Sequence, residues 1–126
     1  MLVAIKMTKD DKGADDLLQE AILMQHLGKH VNLVNLVGVV TAGTPMMVLV
    51  TYCEHGDLLK ILRAHAKDGT KIGSPLEPLH RAEGRLKTLF ETAAGMDHVS
   101  NRFVHRDLAA RNVLVDSALV CKVAGQ

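Results

Sequence analysis

The sequence predicts an α+β fold, and three observations carry that expectation. Short β-branched runs and amphipathic helical repeats follow one another in the order β-α-β-β-α-insert-α-loop-β-β. Between Val31 and Cys53 no residue is charged, yet Ala-Gly-Thr-Pro at 42–45 places turn chemistry in the middle of the run. Its Val-rich halves therefore read as two buried strands joined by a turn, not as a membrane span. The strands also fail to alternate regularly with helices, which excludes a doubly wound parallel sheet. A length of 126 residues suits one domain, and 48% hydrophobic with 23% charged residues is a globular balance.

Each element has its own signal. Leu2 to Met7 is short, apolar and β-branched, consistent with a first strand, and Lys9 to Asp16 reads as a charged loop. A helix is expected from Asp16, whose carboxylate can cap the first turn while Gln19 sits where a capping box needs it. Leu17, Ala21, Met24 and Leu27 form its apolar stripe, and Gly28 ends it. The two strands fall near Leu36–Thr41 and Met46–Tyr52. Residues 54–63 read as a loop feeding a short helix. From Ala64 to Arg85, glycines and prolines among charges predict an exposed insertion without sustained periodicity. Leu86, Leu89, Phe90, Ala93 and Met96 mark a longer helix, buried on that side. Val113–Val115 and Val120–Val123 suit a small hairpin.

Composition narrows the function. A net charge of +1 leaves no bulk electrostatic attraction for nucleic acid, and an aromatic content of 2% leaves little for base stacking. Cys53 and Cys121 lack metal-ligand spacing and read as reduced thiols. Met1 is followed directly by Leu-Val-Ala-Ile-Lys, which is no signal-peptide pattern. Of seven histidines, His26 and His30 lie four apart, but no Glu follows His26 as a zincin motif requires, so no metal role is expected of them.

The decisive segment is His105-Arg106-Asp107-Leu108-Ala109-Ala110-Arg111-Asn112. It resembles the protein-kinase catalytic loop H-R-D-L-x-x-x-N, in the Ala-Ala-Arg form of tyrosine kinases. The resemblance implies that Asp107 accepts the substrate hydroxyl proton and orients it for in-line attack on the γ-phosphate of ATP. Orientation matters more than basicity there, because the transition state is loose. It also implies that Asn112 offers an oxygen to Mg²⁺, that Arg111 steadies Asp107 and the incoming phenol, and that His105 is structural.

Val3-Ala4-Ile5-Lys6 matches the family's V-A-I-K, which would bring Lys6 to the α- and β-phosphates. Glu20, on the expected helix, matches the glutamate that pairs with this lysine. His30-Val31-Asn32 resembles the family's H-x-N, and Met24 resembles a regulatory-spine position. By the same resemblance Val50 is the gatekeeper, and Thr51, Tyr52 and Cys53 form the hinge whose backbone binds adenine. Asp57 would reach the ribose, while Ala4 and Leu114 would sandwich the adenine ring.

The resemblance implies a partial protein-kinase-like fold. It assigns 1–50 to the small lobe from its third strand, 51–57 to the hinge, and 58–126 to the start of the helical large lobe through the catalytic loop, with an insert at about 64–85. That insert and the segment from Gly28 to Leu36 look like receptor tyrosine kinases of the fibroblast, vascular or platelet-derived growth factor receptor type. Such a chain would be a cytoplasmic segment of a plasma-membrane receptor, with ATP, a tyrosine-bearing protein substrate and a kinase dimer partner. Tyr52 is the one tyrosine, so the insert carries no docking tyrosine.

Two family motifs do not occur. No Gly-rich loop stands before Val3, and the position of the D-F-G aspartate is Gly125, within Val123-Ala124-Gly125-Gln126. Loss of that metal-holding carboxylate predicts an inactive chain. The 86–99 helix is also expected to lack partners for its apolar face. The alternative expectation is a catalytically dead kinase-like module that sequesters a kinase or adaptor.

Overall fold

The computed structural model of the chain describes residues 2–8, 11–43, 45–100 and 109–124. Its first strand, β1, spans Val3–Met7. Strand geometry sends alternate side chains to opposite faces. Ala4 packs on the core beneath, whereas Ile5 and Met7 are exposed on the other side.

The following helix α1 runs Asp11–Leu27, and this corrects the expected start at Asp16. Asp16 lies inside the helix and caps nothing at its beginning. Gly13, taken for a loop residue, costs a helix only about 1 kcal/mol relative to Ala. Leu17 and Ala21 are buried against the sheet, so packing outweighs local propensity.

The uncharged run forms β2, Leu36–Val40, and β3, Met47–Thr51, as expected. They complete an antiparallel sheet in the order β1-β3-β2, with Ala4 opposite Val50 and Lys6 opposite Val48. A register shift interrupts the β2–β3 ladder between Leu36 and Gly38. Leu17, Ala21, Val48 and Val50 make the core between α1 and this sheet.

Beyond the strands lie β4, Gly56–Asp57, and α2, Leu58–Asp68. The Asp57 carboxylate accepts the Lys60 N–H at 2.9 Å and caps α2. Gly69, at φ +69°, turns the chain out of the helix. Then come α3, Glu77–His80, and α4, Ala82–Ser100. A 3-10 helix, Ala110–Asn112, leads into β5, Val113–Val115, and β6, Cys121–Val123. A second antiparallel sheet has the order β4-β5-β6. Leu58, Ile61, Leu79, Val113, Val115 and Cys121 form its core.

Two further expectations need correction. The stretch 64–85 is not an irregular excursion, because the end of α2, all of α3 and the start of α4 occupy most of it. Leu79 within it is 6% exposed. A four-residue helix contributes one buried side chain and so leaves no periodic trace. The second correction concerns α4. Leu86, Leu89 and Phe90 are 69%, 68% and 75% exposed, so the apolar stripe is not the buried one. The helix instead packs through small residues. A Cβ on Gly84 would collide with the Pro78 carbonyl, and one on Gly95 with the Asn32 carbonyl. Close backbone approach chose the face, as glycine permits. Among the described residues no helix is long and apolar enough to cross a membrane.

Candidate functional site

Lys6 and Glu20 meet across the β1–α1 contact. The ammonium donates to Glu20 Oε1 at 2.5 Å, although 14 residues separate the two in the chain. Strand alternation puts Lys6 on the same face as Ala4, toward α1, and the buried stripe of α1 orients Glu20 toward the strand. The lysine side chain is 46% exposed and the glutamate 27%, so the ammonium keeps donor capacity on its open side.

The residues expected around a nucleotide base come from both sheets. Ala4 stands opposite Val50 in the first, and Asp57 stands opposite Leu114 in the second. The segment Thr51–Asp57 joins them. Val50 is 3% exposed and belongs to the core, whereas Tyr52 is 43% exposed. Gly56, at φ +74°, closes a turn in which its N–H donates to the Cys53 carbonyl at 3.2 Å. Burial pushes the half-buried Cys53 thiol above its ordinary 9.0, against a smaller opposing pull from the Lys122 charge. Asp57 commits Oδ1 to the α2 cap, with the Lys60 ammonium 3.8 Å from Oδ2.

Sequence reasoning missed the residue that holds this connecting segment. The Asn35 N–H donates to Thr51 Oγ1 at 3.0 Å, and the Asn35 carbonyl accepts the Thr51 N–H at 3.0 Å and its hydroxyl at 3.3 Å. The Asn35 amide bonds both backbone groups of His30 at 3.1 Å. Thr51 is thus tied inward by its side chain, where backbone contacts alone had been expected to matter. Asn32, 5% exposed, extends the network by donating to the Cys121 carbonyl at 2.9 Å and accepting the Val123 N–H at 2.8 Å. The signal was present in the sequence. Amides inside an uncharged apolar run must find partners once buried.

The catalytic-loop residues divide at Ala109. His105, Arg106 and Asp107 lie outside the described residues, as does Gly125. Arg111 and Asn112 sit on the 3-10 helix, the first exposed and the second half-buried. The Asn112 N–H donates to the Ala109 carbonyl at 2.8 Å, and its own carbonyl accepts the Ala124 N–H at 2.7 Å. Asn112 is therefore fixed to the end of β6, which Asn32 in turn ties to the loop after α1. Lys122 on β6 is 8% exposed and donates to the Val31 carbonyl at 2.7 Å.

The pattern described as protein tyrosine and serine/threonine kinase matches residues 1–126. The chain belongs to the protein tyrosine and serine/threonine kinase family. A kinase chain explains why a strand lysine and a helix glutamate should be brought together. The fibroblast growth factor receptor homolog 2 of Drosophila melanogaster is 38% identical over 138 residues, covering 98% of this chain. This kinase segment spans 13% of that relative's length. Its mixed helices and small antiparallel sheets fit a partial kinase-like fold.

The family uses ATP and Mg²⁺, and the donors present fit the two unequally. A triphosphate suits Lys6, an accessible ammonium held by a less exposed carboxylate. A Mg²⁺, which binds through one or two protein oxygens together with substrate phosphates, finds one candidate donor among the described residues. Asn112 offers it one amide oxygen, and among the described residues no group of three or more His, Cys, Asp or Glu could hold a metal. His26 Nδ1 bonds the Ile22 carbonyl, and His30 Nδ1 accepts the Asn32 N–H.

Proposed function

We propose that this chain is the nucleotide-binding and catalytic-loop segment of a receptor-type protein tyrosine kinase. The observation that carries the proposal is the Lys6–Glu20 pair, a contact with no structural need at such exposure. In this reading residues 1–50 are the small-lobe part, 51–57 the hinge, and 58–126 the start of the large lobe. ATP lies between Ala4 and Leu114, with Val50 behind it, the backbone of Thr51, Tyr52 and Cys53 against the adenine and Asp57 toward the ribose. Lys6, held by Glu20, contacts its phosphates. Asp107 orients a protein tyrosine hydroxyl with help from Arg111, and Asn112 supplies the oxygen that a Mg²⁺ takes. The parent protein is a plasma-membrane receptor whose kinase lies in the cytoplasm and acts with a second kinase as dimer partner.

Gly125 supports a second reading for the chain by itself. A glycine cannot hold a cation where the family places a carboxylate, so phosphoryl transfer by this polypeptide should be absent. What remains is a kinase-like binding module that sequesters a kinase or adaptor.

The test is thermal unfolding of the chain with ATP, run beside a tyrosine-phosphorylation assay on a tyrosine-containing peptide. ATP should raise the midpoint, Lys6→Met should remove most of that rise, and no phosphotyrosine should form. An ATP response that survives Lys6→Met unchanged would overturn the nucleotide assignment. Phosphotyrosine formation would overturn the inactive reading alone.

A further inference from the structure

A hollow of about 320 Å³ lies between α2 and α4, beside α3. Leu58, Leu62, Leu79 and Leu89 supply its apolar walls. Its ionisable lining residues are His65 from α2, His80 from α3 and Arg85 from α4, and all three are bases. None of them belongs to the proposed nucleotide site.

The two imidazoles stack, with centroids 3.9 Å apart and planes only 7° from parallel. His65 Nδ1 is also bonded to Thr70 Oγ1 at 2.7 Å. Parallel rings direct their nitrogen lone pairs side by side instead of toward a shared point, so the pair does not converge on a metal. Of the acidic residues nearby, Glu77 is committed to Arg81 at 2.6 Å. Arg85 has no carboxylate partner among the described residues. Burial, then the His65 and Arg85 charges, push His80 below its ordinary 6.5. The hollow thus combines greasy walls with an Arg85 guanidinium that no carboxylate among the described residues pairs.

Its size is at the lower end of small-ligand sites. An occupant must be mostly apolar and carry one negative group, because a neutral ligand would leave the bases unmatched and a compact inorganic anion would leave the leucines wet. We propose that this hollow binds a small amphiphilic carboxylate of the medium-chain alkanoate class. Its chain lies among the four leucines and its carboxylate meets Arg85 and the stacked histidines.

A bound anion favours the imidazolium form of His80, so binding takes up a proton. Affinity should therefore rise as pH falls from about 8 to about 6, where an alkanoate is still ionised.

Octanoate and octanamide serve as probes for the full chain, with the His65 and His80 ring protons followed by NMR. Octanoate should give saturable shifts at both rings and bind at least about fivefold tighter than octanamide, a gap that narrows toward pH 8. Arg85→Gln, at an exposed position, should weaken octanoate by a similar factor and leave octanamide unchanged. Leu62→Ser should weaken both. Equal binding of the two probes, no saturable shift, or indifference to Arg85→Gln would each overturn the proposal.

Discussion

Gly95 of α4 lies directly against the carbonyl of Asn32, so close that a Cβ there would collide with the oxygen and also come within 3.0 Å of Val123 Cγ2. The same Asn32 carbonyl accepts the Val123 N–H at 2.8 Å. Helix, loop and strand β6 thus meet at one point. Gly95→Ala has no way to relax locally, because its obstacle is backbone. We expect a loss of about 1–3 kcal/mol in denaturant unfolding, whereas Ala94→Gly beside it should cost no more than about 1 kcal/mol.

The Lys6–Glu20 pair should matter to ligand and hardly to stability. Both side chains are partly exposed, and such pairs contribute about 1 kcal/mol or less. Glu20→Gln should shift the unfolding midpoint little in the absence of nucleotide, yet reduce the ATP-induced rise. Calorimetry with and without ATP separates the two effects. A large loss of stability without nucleotide would mean that the pair is structural.

Asn35 should be among the costliest polar residues to remove. Asn35→Ala strips both bonds to His30 in a half-buried site, which costs about 1–3 kcal/mol. Thr51→Val removes the opposing hydroxyl. Because the Asn35 main chain bonds that hydroxyl, a double-mutant cycle should find the two losses non-additive.

The thiols should be quiet at neutral pH. Burial raises both Cys53 and Cys121 above the ordinary 9.0, and Cys121 is fully buried. The folded state favours the protonated thiol, so this contribution is complete below 9.0 and is lost as pH rises through the folded values. Thiol-exchange kinetics should show Cys53 several-fold slower than a free thiol, and Cys121 reacting only as fast as the core opens. Rapid labelling of Cys121 in the folded chain would contradict its placement.

Much of this architecture could be read before any coordinates. The strands β1, β2 and β3, the β5–β6 hairpin and the Lys6–Glu20 partnership were all legible, because a strand announces itself by local alternation and a family motif by a local string. Asn35 was not, since its value lies in meeting Thr51 from another strand. Asp16 misled because capping chemistry is local, whereas the true start of α1 follows from the packing of Leu17 and Ala21 on the sheet.

The amino-acid sequence by itself determined the α+β class, the kinase membership and the identity of the residues at each motif position, Gly125 included. Only the tertiary structure decided which face of α4 is buried, that Leu79 enters the second core, and that His65 and His80 stack beside Arg85. Hydrophobic periodicity records how apolar a face is, and the leucine stripe of α4 is more apolar than the face that packs. Burial went to the glycine face because only there can two backbones approach closely, and distance between segments is not written in the order of residues.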